Sequence, residues 1–192
     1  SGIFRHVWLI KTNKLYLDKW DTFVNASELQ KKEAVIQFST IVHNEGLHNQ
    51  SGKIGIKIYS PAGNEVFSTS QDVILSEGTP VATSFSLKKP ELWSVDTPVL
   101  YTAEVSLSSD GKEYDKISVP FGIRTLSFSA EKGFLLNGKS MKLKGGCVHH
   151  DNGLLGAAAI DRAEERKVEL MKANGYNAVR CAHNQVSEHF LD

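Results

Sequence analysis

Two short stretches of this 192-residue chain carry side chains that could do chemistry. Residues 145–151 are Gly-Gly-Cys-Val-His-His-Asp, and residues 180–184 are Arg-Cys-Ala-His-Asn. Neutral imidazole both donates and accepts hydrogen bonds, so His149 and His183 could bind a polar substrate such as a sugar hydroxyl. Together with Asp151 they could instead ligate a metal such as zinc, or they could be partly buried histidines that bond only to backbone. Spacing alone leaves these three interpretations open.

The elements around these stretches predict that the stretches lie close together. Residues 139–143 and 177–182 are typical of short strands. Between them a helix is predicted from Asp161 to the Asn-Gly pair at 174–175, a typical helix end. Strand, helix and strand in this order predict a βαβ unit whose strands are parallel neighbours. Both histidine stretches follow strand ends, the edge at which α/β folds place their sites.

Other candidates for chemistry have simpler structural explanations. Asp161 and Glu164 predict a capping box, with Asp161 accepting from the third helical N–H and Glu164 bonding back to the start of the helix. The negative charge of Glu164 and Glu165 suits the positive end of the helix dipole. Cys147 and Cys181 are expected to be small buried side chains rather than a redox pair.

Before this unit the pattern is that of a β-sandwich. Residues 1–124 contain short alternating runs separated by sequences rich in Gly, Pro, Asn and Asp, with no stretch of helical period. The strands predicted from these runs cover residues 6–17, 34–42, 53–59, 65–67, 73–75, 81–87, 99–107 and 112–121. Short strands at this spacing predict a two-sheet antiparallel sandwich.

The change of pattern after Arg124 predicts two domains. Residues 1–124 are expected to form an antiparallel β-sandwich, and residues 125–192 the beginning of a larger α/β domain. Asn137-Gly138 in the second part predicts a two-residue hairpin turn. Because parallel sheets need cover on both faces, a βαβ unit by itself is not a complete domain. The predicted fold class is therefore mainly β, with a truncated α/β piece at the end.

Composition excludes several classes of protein. The charges balance at 22 Lys+Arg against 22 Asp+Glu, so a nucleic-acid partner is not expected. No run of about 18 apolar residues is present, so a membrane span is not expected, and two cysteines cannot form a disulfide framework. The chain begins Ser-Gly without Met, and we expect it to be a segment of a longer protein. The sequence does not indicate compartment or oligomeric state.

Several motifs, taken in order, resemble glycoside hydrolase family 2, which includes β-galactosidases, β-glucuronidases and β-mannosidases. The resemblance covers nearly the whole chain and rests on residues 2–9, 92–101, 121–124, 133–138, 144–149 and 179–183. Some positions depart from the family pattern. Cys147 stands where the family often has Asn, Asn184-Gln185 follow the second histidine where Tyr-Pro or Asn-Pro is common, and His150-Asp151 replace Glu-His. These departures leave the sugar preference open.

The resemblance implies both a fold and an activity. It places an immunoglobulin-like middle domain before the first βαβ piece of a (β/α)8 barrel, in a retaining enzyme that hydrolyses terminal β-glycosidic bonds, with β-galactosidase as the expected activity. By the motif match, His149 and His183 line the subsite that holds the sugar, and Arg180 supports the acid/base carboxylate. These are the expected substrate-binding residues, and the resemblance raises the sugar interpretation above the other two.

The resemblance also implies what the chain lacks. The family's two catalytic glutamates come from later barrel strands, so no catalytic residue is expected here and the segment is expected to be inactive. Its implied partners are a β-linked carbohydrate and the jelly-roll and barrel segments of the whole protein. No cofactor or metal-ligating residue is expected, and a divalent cation in the whole enzyme stays open. The alternative, a non-catalytic immunoglobulin-like carbohydrate-binding or adhesion module, explains residues 1–124 but not the βαβ pattern.

Overall fold

The computed structural model describes residues 2–30, 32–46 and 48–191. These residues divide into two compact units. One is Lys11–Ser140, and the other joins the residues up to Ile10 with those from Met141 onward.

The Lys11–Ser140 unit is built from antiparallel sheets. One sheet has the order β1-β3-β2, and β6 pairs along the opposite edge of β3. Another sheet has the order β5-β4-β7-β8. The strands are β1 (Leu15–Leu17), β2 (Phe23–Gln30), β3 (Glu33–Asn44), β4 (Gln50–Tyr59), β5 (Glu65–Leu75), β6 (Thr79–Lys88), β7 (Tyr101–Ser109) and β8 (Lys112–Phe121).

The core of this unit lies between the two sheets. Burial alternates along β3 and β7, because successive side chains of a strand point to opposite faces. The fully buried side chains of the two sheets include Ile36, Phe38, Ile54, Ile56 and Val105. The predicted antiparallel sandwich is confirmed.

Some predicted strands have other bounds. The strand expected over residues 6–17 is limited to Leu15–Leu17. Phe4 instead accepts a hydrogen bond from the Ala159 amide within the other unit. The two short strands expected at 65–67 and 73–75 are one continuous strand, β5. β5 pairs only with β4 among the described strands, and its mostly exposed, polar middle hides the alternation from the sequence.

A small antiparallel sheet, of order β11-β10-β9, completes this unit. Asn137 and Gly138 have φ of 52° and 75° and form the predicted hairpin turn. The Asn137 amide donates to the Trp93 carbonyl at 3.0 Å and accepts from the Thr125 amide at 3.0 Å, which anchors the turn. The strands are β9 (Leu126–Ser129), β10 (Gly133–Leu136) and β11 (Lys139–Ser140).

The other unit contains the predicted βαβ arrangement. Its elements are β12 (Gly145–Val148), α1 (Asp161–Ala173), β13 (Ala178–Cys181) and α2 (Glu188–Leu191). β12 and β13 pair in parallel, with Gly145 opposite Ala178 and Val148 opposite Cys181. No helix in the described part of the chain has the length and apolar character needed to span a membrane.

The first parallel strand begins later than the sequence predicts. The expected strand over 139–143 ends at Ser140, and the parallel strand is residues 145–148. A Cβ at Gly145 would lie 1.7 Å from the Ala178 carbonyl oxygen, so the strands can pair here only because residue 145 is glycine. Gly-Gly is atypical of strands, and this explains why the pattern indicated a loop.

The predicted capping box is wrong. α1 begins after Ile160, which makes no side-chain capping bond, so Asp161 is the first helical residue. The Asp161 carboxylate lies 3.1 Å from His6 Nε2 and 3.2 Å from His189 Nε2. Glu164 does not reach back to the start of the helix. It is 2% exposed and accepts a hydrogen bond from the Ser187 hydroxyl.

Candidate functional site

The carboxyl ends of β12 and β13 bring two imidazole rings together. His149 directly follows β12, and His183 lies two residues beyond β13. Their ring centroids are 5.7 Å apart, with an angle of 39° between the ring planes. Both side chains are exposed. Two exposed imidazoles at this separation offer donors and acceptors to the same small polar molecule.

The backbone at His183 departs from the geometry of the strand before it. Continuing the parallel register beyond Val148 and Cys181 would set His150, not His149, opposite His183. His183 has φ of 68°, in the left-handed region, which ends the strand geometry at that residue. Left-handed backbone at a non-glycine residue stores strain and is concentrated at functional sites.

Arg180 lies on the strand below this histidine pair. It is the register partner of Cys147, and its guanidinium lies 3.7 Å from the Cys147 sulfur. Cys147 and Cys181 are both exposed, so the expectation that they are buried is wrong. Each lies on a β12–β13 sheet that leaves most of its side chains exposed. The exposed Arg180 adds a permanent positive charge to the strand that leads to His183.

Polar contacts join the loops that follow the two strands. The Asn184 amide lies 2.8 Å from His150 Nδ1, and the His150 ring packs on Phe4 with centroids 4.9 Å apart. A small pocket, partly open to solvent, lies beside these loops. The residues that line it include Arg5, His149, His150, Glu164, Lys167 and Asn184. The pocket wall therefore comes from both strand ends, the first turns of α1 and the segment before Val7.

The sequence analysis missed Glu164 and Lys167 as residues of this site. Lys167 donates to the backbone carbonyl of His149 at 3.2 Å and to that of Asp151. Val168 and Met171 lie four and seven residues after Glu164, on the same helical face. That spacing is the signal that could have identified Glu164 as an inward-facing carboxylate.

The outer face of α1 carries a separate ion-pair network. Arg162 donates to Glu169 at 2.8 Å and 2.9 Å and to Glu165 at 3.0 Å. The hydrogen bond from Arg162 lowers the pKa of Glu169 below its ordinary value. These side chains are exposed, so the network belongs to the helix surface and not to the pocket.

A metal site is not assembled around His149 and His183. Among the described residues, no three His, Cys, Asp or Glu side chains converge as metal ligands would. Asp151, the third ligand in the metal interpretation, contacts Lys167 through its backbone carbonyl. The exposed polar groups here are the two imidazoles, and a guanidinium lies on the strand that leads to His183.

Comparison with known proteins identifies related sequences along the whole chain. The sequence pattern of glycosyl hydrolases family 2 matches residues 15–124, and that of the family 2 TIM barrel domain matches residues 129–192. The chain is 38% identical over 193 residues to a β-galactosidase from Bacteroides ovatus, covering 100% of this chain and 23% of that protein. It is 30% identical over 198 residues to a β-glucuronidase from Bacteroides fragilis, covering 100% of this chain and 28% of that protein.

Solved structures are similar in fold. A glycosyl hydrolase family 2 member from Bacteroides cellulosilyticus superposes with a TM-score of 0.89 at 43% identity, over 94% of this chain and 24% of that one. A Bacteroides uniformis β-glucuronidase covalently bound to cyclophellitol-6-carboxylate aziridine has a TM-score of 0.89 at 28% identity. The match covers 100% of this chain and 24% of that one. The chain thus spans about a quarter of the length of these relatives.

Proposed function

This chain belongs to the glycosyl hydrolases of family 2, and on that premise we propose that the whole protein hydrolyses terminal β-glycosidic bonds with retention of configuration. In this proposal the sandwich is a middle domain, and β12-α1-β13 is the first part of the TIM barrel. The chain supplies part of the wall that binds the sugar, and the reacting carboxylates lie elsewhere in the whole protein. Its predicted partner is a β-linked carbohydrate.

One observation carries the proposal. His149 and His183 lie 5.7 Å apart at the carboxyl ends of parallel strands, where TIM-barrel enzymes have their active sites. Exposed imidazoles at that place can hydrogen-bond neighbouring hydroxyls of one sugar ring. We assign Arg180, on the strand that leads to His183, to support of the acid/base carboxylate.

The proposed chemistry is that of retaining glycosidases. Such enzymes use two carboxyl groups about 5–5.5 Å apart, one as a nucleophile and the other as acid and then base. The covalent aziridine complex of the Bacteroides uniformis β-glucuronidase supports an enzymatic nucleophile in the family. We propose that both glutamates come from later barrel strands and that residues 1–192 alone have no turnover.

The proposed substrate is a β-galactoside. The Bacteroides ovatus β-galactosidase shares 38% of aligned residues with this chain, whereas the Bacteroides fragilis β-glucuronidase shares 30%. A glucuronide has a C6 carboxylate where a galactoside has a hydroxymethyl group, and the two sugars also differ in configuration at C4; recognition of the carboxylate favours a dedicated cation in the pocket.

We also propose a domain boundary between residues 124 and 125. The match to the first family pattern ends at residue 124, and the barrel match begins at 129. The β9–β11 sheet lies in the Lys11–Ser140 compact unit with the sandwich, and in this proposal its residues belong by sequence to the start of the barrel domain.

A panel of aryl β-glycosides, assayed with the whole protein, tests this function. We expect the β-galactoside to give a higher kcat/KM than the β-glucuronide and the β-mannoside, and NMR to show the β-anomer as the first product. Cleavage of none of the panel would refute the proposed activity, and a first product of α configuration would refute retention. Residues 1–192 serve as the matched control. We expect this segment to release no more of the aryl leaving group than buffer alone does.

A further inference from the structure

Lys167 holds the loop that carries His149. Its Nζ atom donates to the His149 carbonyl at 3.2 Å and also bonds to the Asp151 carbonyl. One ammonium group thus fixes the backbone on both sides of His150. Because charged hydrogen bonds are stronger than neutral ones, this contact defines where the loop leaves β12.

Glu164 holds the loop that carries His183. Its carboxylate is 2% exposed and accepts from the Ser187 hydroxyl. The Ser187 hydroxyl in turn accepts from the Phe190 amide at 3.2 Å, where α2 begins. Burial of a carboxylate is costly unless the group is hydrogen-bonded, so a buried glutamate at this position ties α1 firmly to Ser187.

The two contacts come from one turn of one helix. Glu164 and Lys167 are three residues apart, so their side chains leave α1 on the same face. Both line the same pocket. The Asn184 amide, 2.8 Å from His150 Nδ1, links the two loops directly. A single rigid helix therefore bonds to the loops after both strands, and the left-handed His183 lies within one of them.

We propose that Glu164 and Lys167 are positioning residues that hold His149 and His183 at their working separation. They touch neither substrate nor reacting atoms, and they act through the backbone of the loops. The inference rests on the proposed function, in which the two histidines bind the sugar. It assigns to α1 a role in substrate affinity in addition to its role in the fold.

Kinetics of the whole protein provide one test. We expect Lys167→Met to raise KM for the aryl β-galactoside about tenfold or more, because one charged hydrogen bond has about this effect. Ser187→Ala should act in the same direction, because it removes the Glu164 contact together with the hydrogen bond that Ser187 accepts from the Phe190 amide. Glu164→Gln, which keeps an acceptor for the Ser187 hydroxyl, should raise KM less than Ser187→Ala does. Lys172→Met, on the last turn of the same helix, is the matched control and should leave KM unchanged.

Amide hydrogen exchange supplies a readout that does not depend on activity. We expect Lys167→Met to speed exchange at residues 149–152, and Ser187→Ala to speed it at 183–190, with β3 unchanged in both. Wild-type exchange at these loops in both variants would overturn the proposal, as would acceleration spread evenly over α1 and β13. If the wild-type protein cleaves no β-glycoside, the proposed function fails and exchange alone decides the positioning role.

Discussion

His183 combines an exposed imidazole with a left-handed backbone, and the two properties can be separated by substitution. Asparagine tolerates positive φ, whereas valine does not. We therefore expect His183→Val to lower the free energy of unfolding by about 1–2 kcal/mol relative to His183→Asn. Both variants should lower kcat/KM to a similar extent, because both lack the imidazole. Thermal unfolding of the whole protein measures the difference, and equal melting temperatures would contradict a strained backbone at His183.

At the scale of residues, the sequence predicted which side chains lie near one another better than it predicted which side chains are buried. Two parallel strands bring the stretches that carry His149 and His183 to the same edge, as predicted, but the left-handed backbone of His183, which departs from the continued register, was not predicted. The exposure of Cys147 and the burial of Glu164 depend on which faces are covered by other elements. Tertiary packing decides this, and residue type alone misleads, because cysteine is usually buried and glutamate usually exposed.

Two adjacent glycines test how β12 and β13 meet. A Cβ at Gly145 would lie 1.7 Å from the Ala178 carbonyl oxygen, whereas a Cβ at Gly146 would have no heavy atom within 4 Å. We expect Gly145→Ala to destabilise the protein by about 1–3 kcal/mol, the usual cost of overpacking, and to lower activity. Gly146→Ala is the matched control and should be close to neutral. Denaturant unfolding of both variants measures this, and equal losses would show that the pairing is not glycine-dependent.

The hairpin at Asn137 tests a second element. Its amide bonds to Trp93 and Thr125, and its φ of 52° suits asparagine or glycine. Asn137→Gly keeps the backbone and removes both side-chain bonds, so we expect a loss of about 1–2 kcal/mol. Asp110→Gly makes a comparable change at another hairpin turn with φ of 49° and is expected to cost less. Denaturant unfolding measures the free energy of unfolding of both variants. Equal losses in the two variants would mean that the Asn137 side-chain bonds contribute little to stability.

At the scale of elements, alternation and turn residues predicted the sandwich well. β3 and β7 alternate because one face packs in the core, and their bounds were close to prediction. β2 was not predicted, since its mostly exposed residues carry little of that signal. The first parallel strand was misplaced because Gly145 and Gly146 pair by close backbone approach, which hydrophobic patterns do not encode.

For the chain as a whole, the two compact units should differ in stability. β3 pairs along both edges, whereas β12 and β13 pair only with each other among the described strands. An incompletely paired parallel sheet with exposed faces opens more easily. We expect residues 140–192 of the isolated chain to exchange their amides well before residues 33–42. Equal protection would show that the βαβ unit is stable without further barrel strands.

The most direct test of the central claim, that His149 and His183 bind the sugar of a β-glycoside, is the kcat/KM of the whole protein with an aryl β-galactoside. We expect His149→Ala and His183→Ala each to lower it about tenfold to a hundredfold, as removal of a hydrogen bond to a substrate does. His48→Ala, an exposed histidine of the sandwich unit, is the control and should match wild type. Wild-type kcat/KM in both histidine variants would contradict the claim.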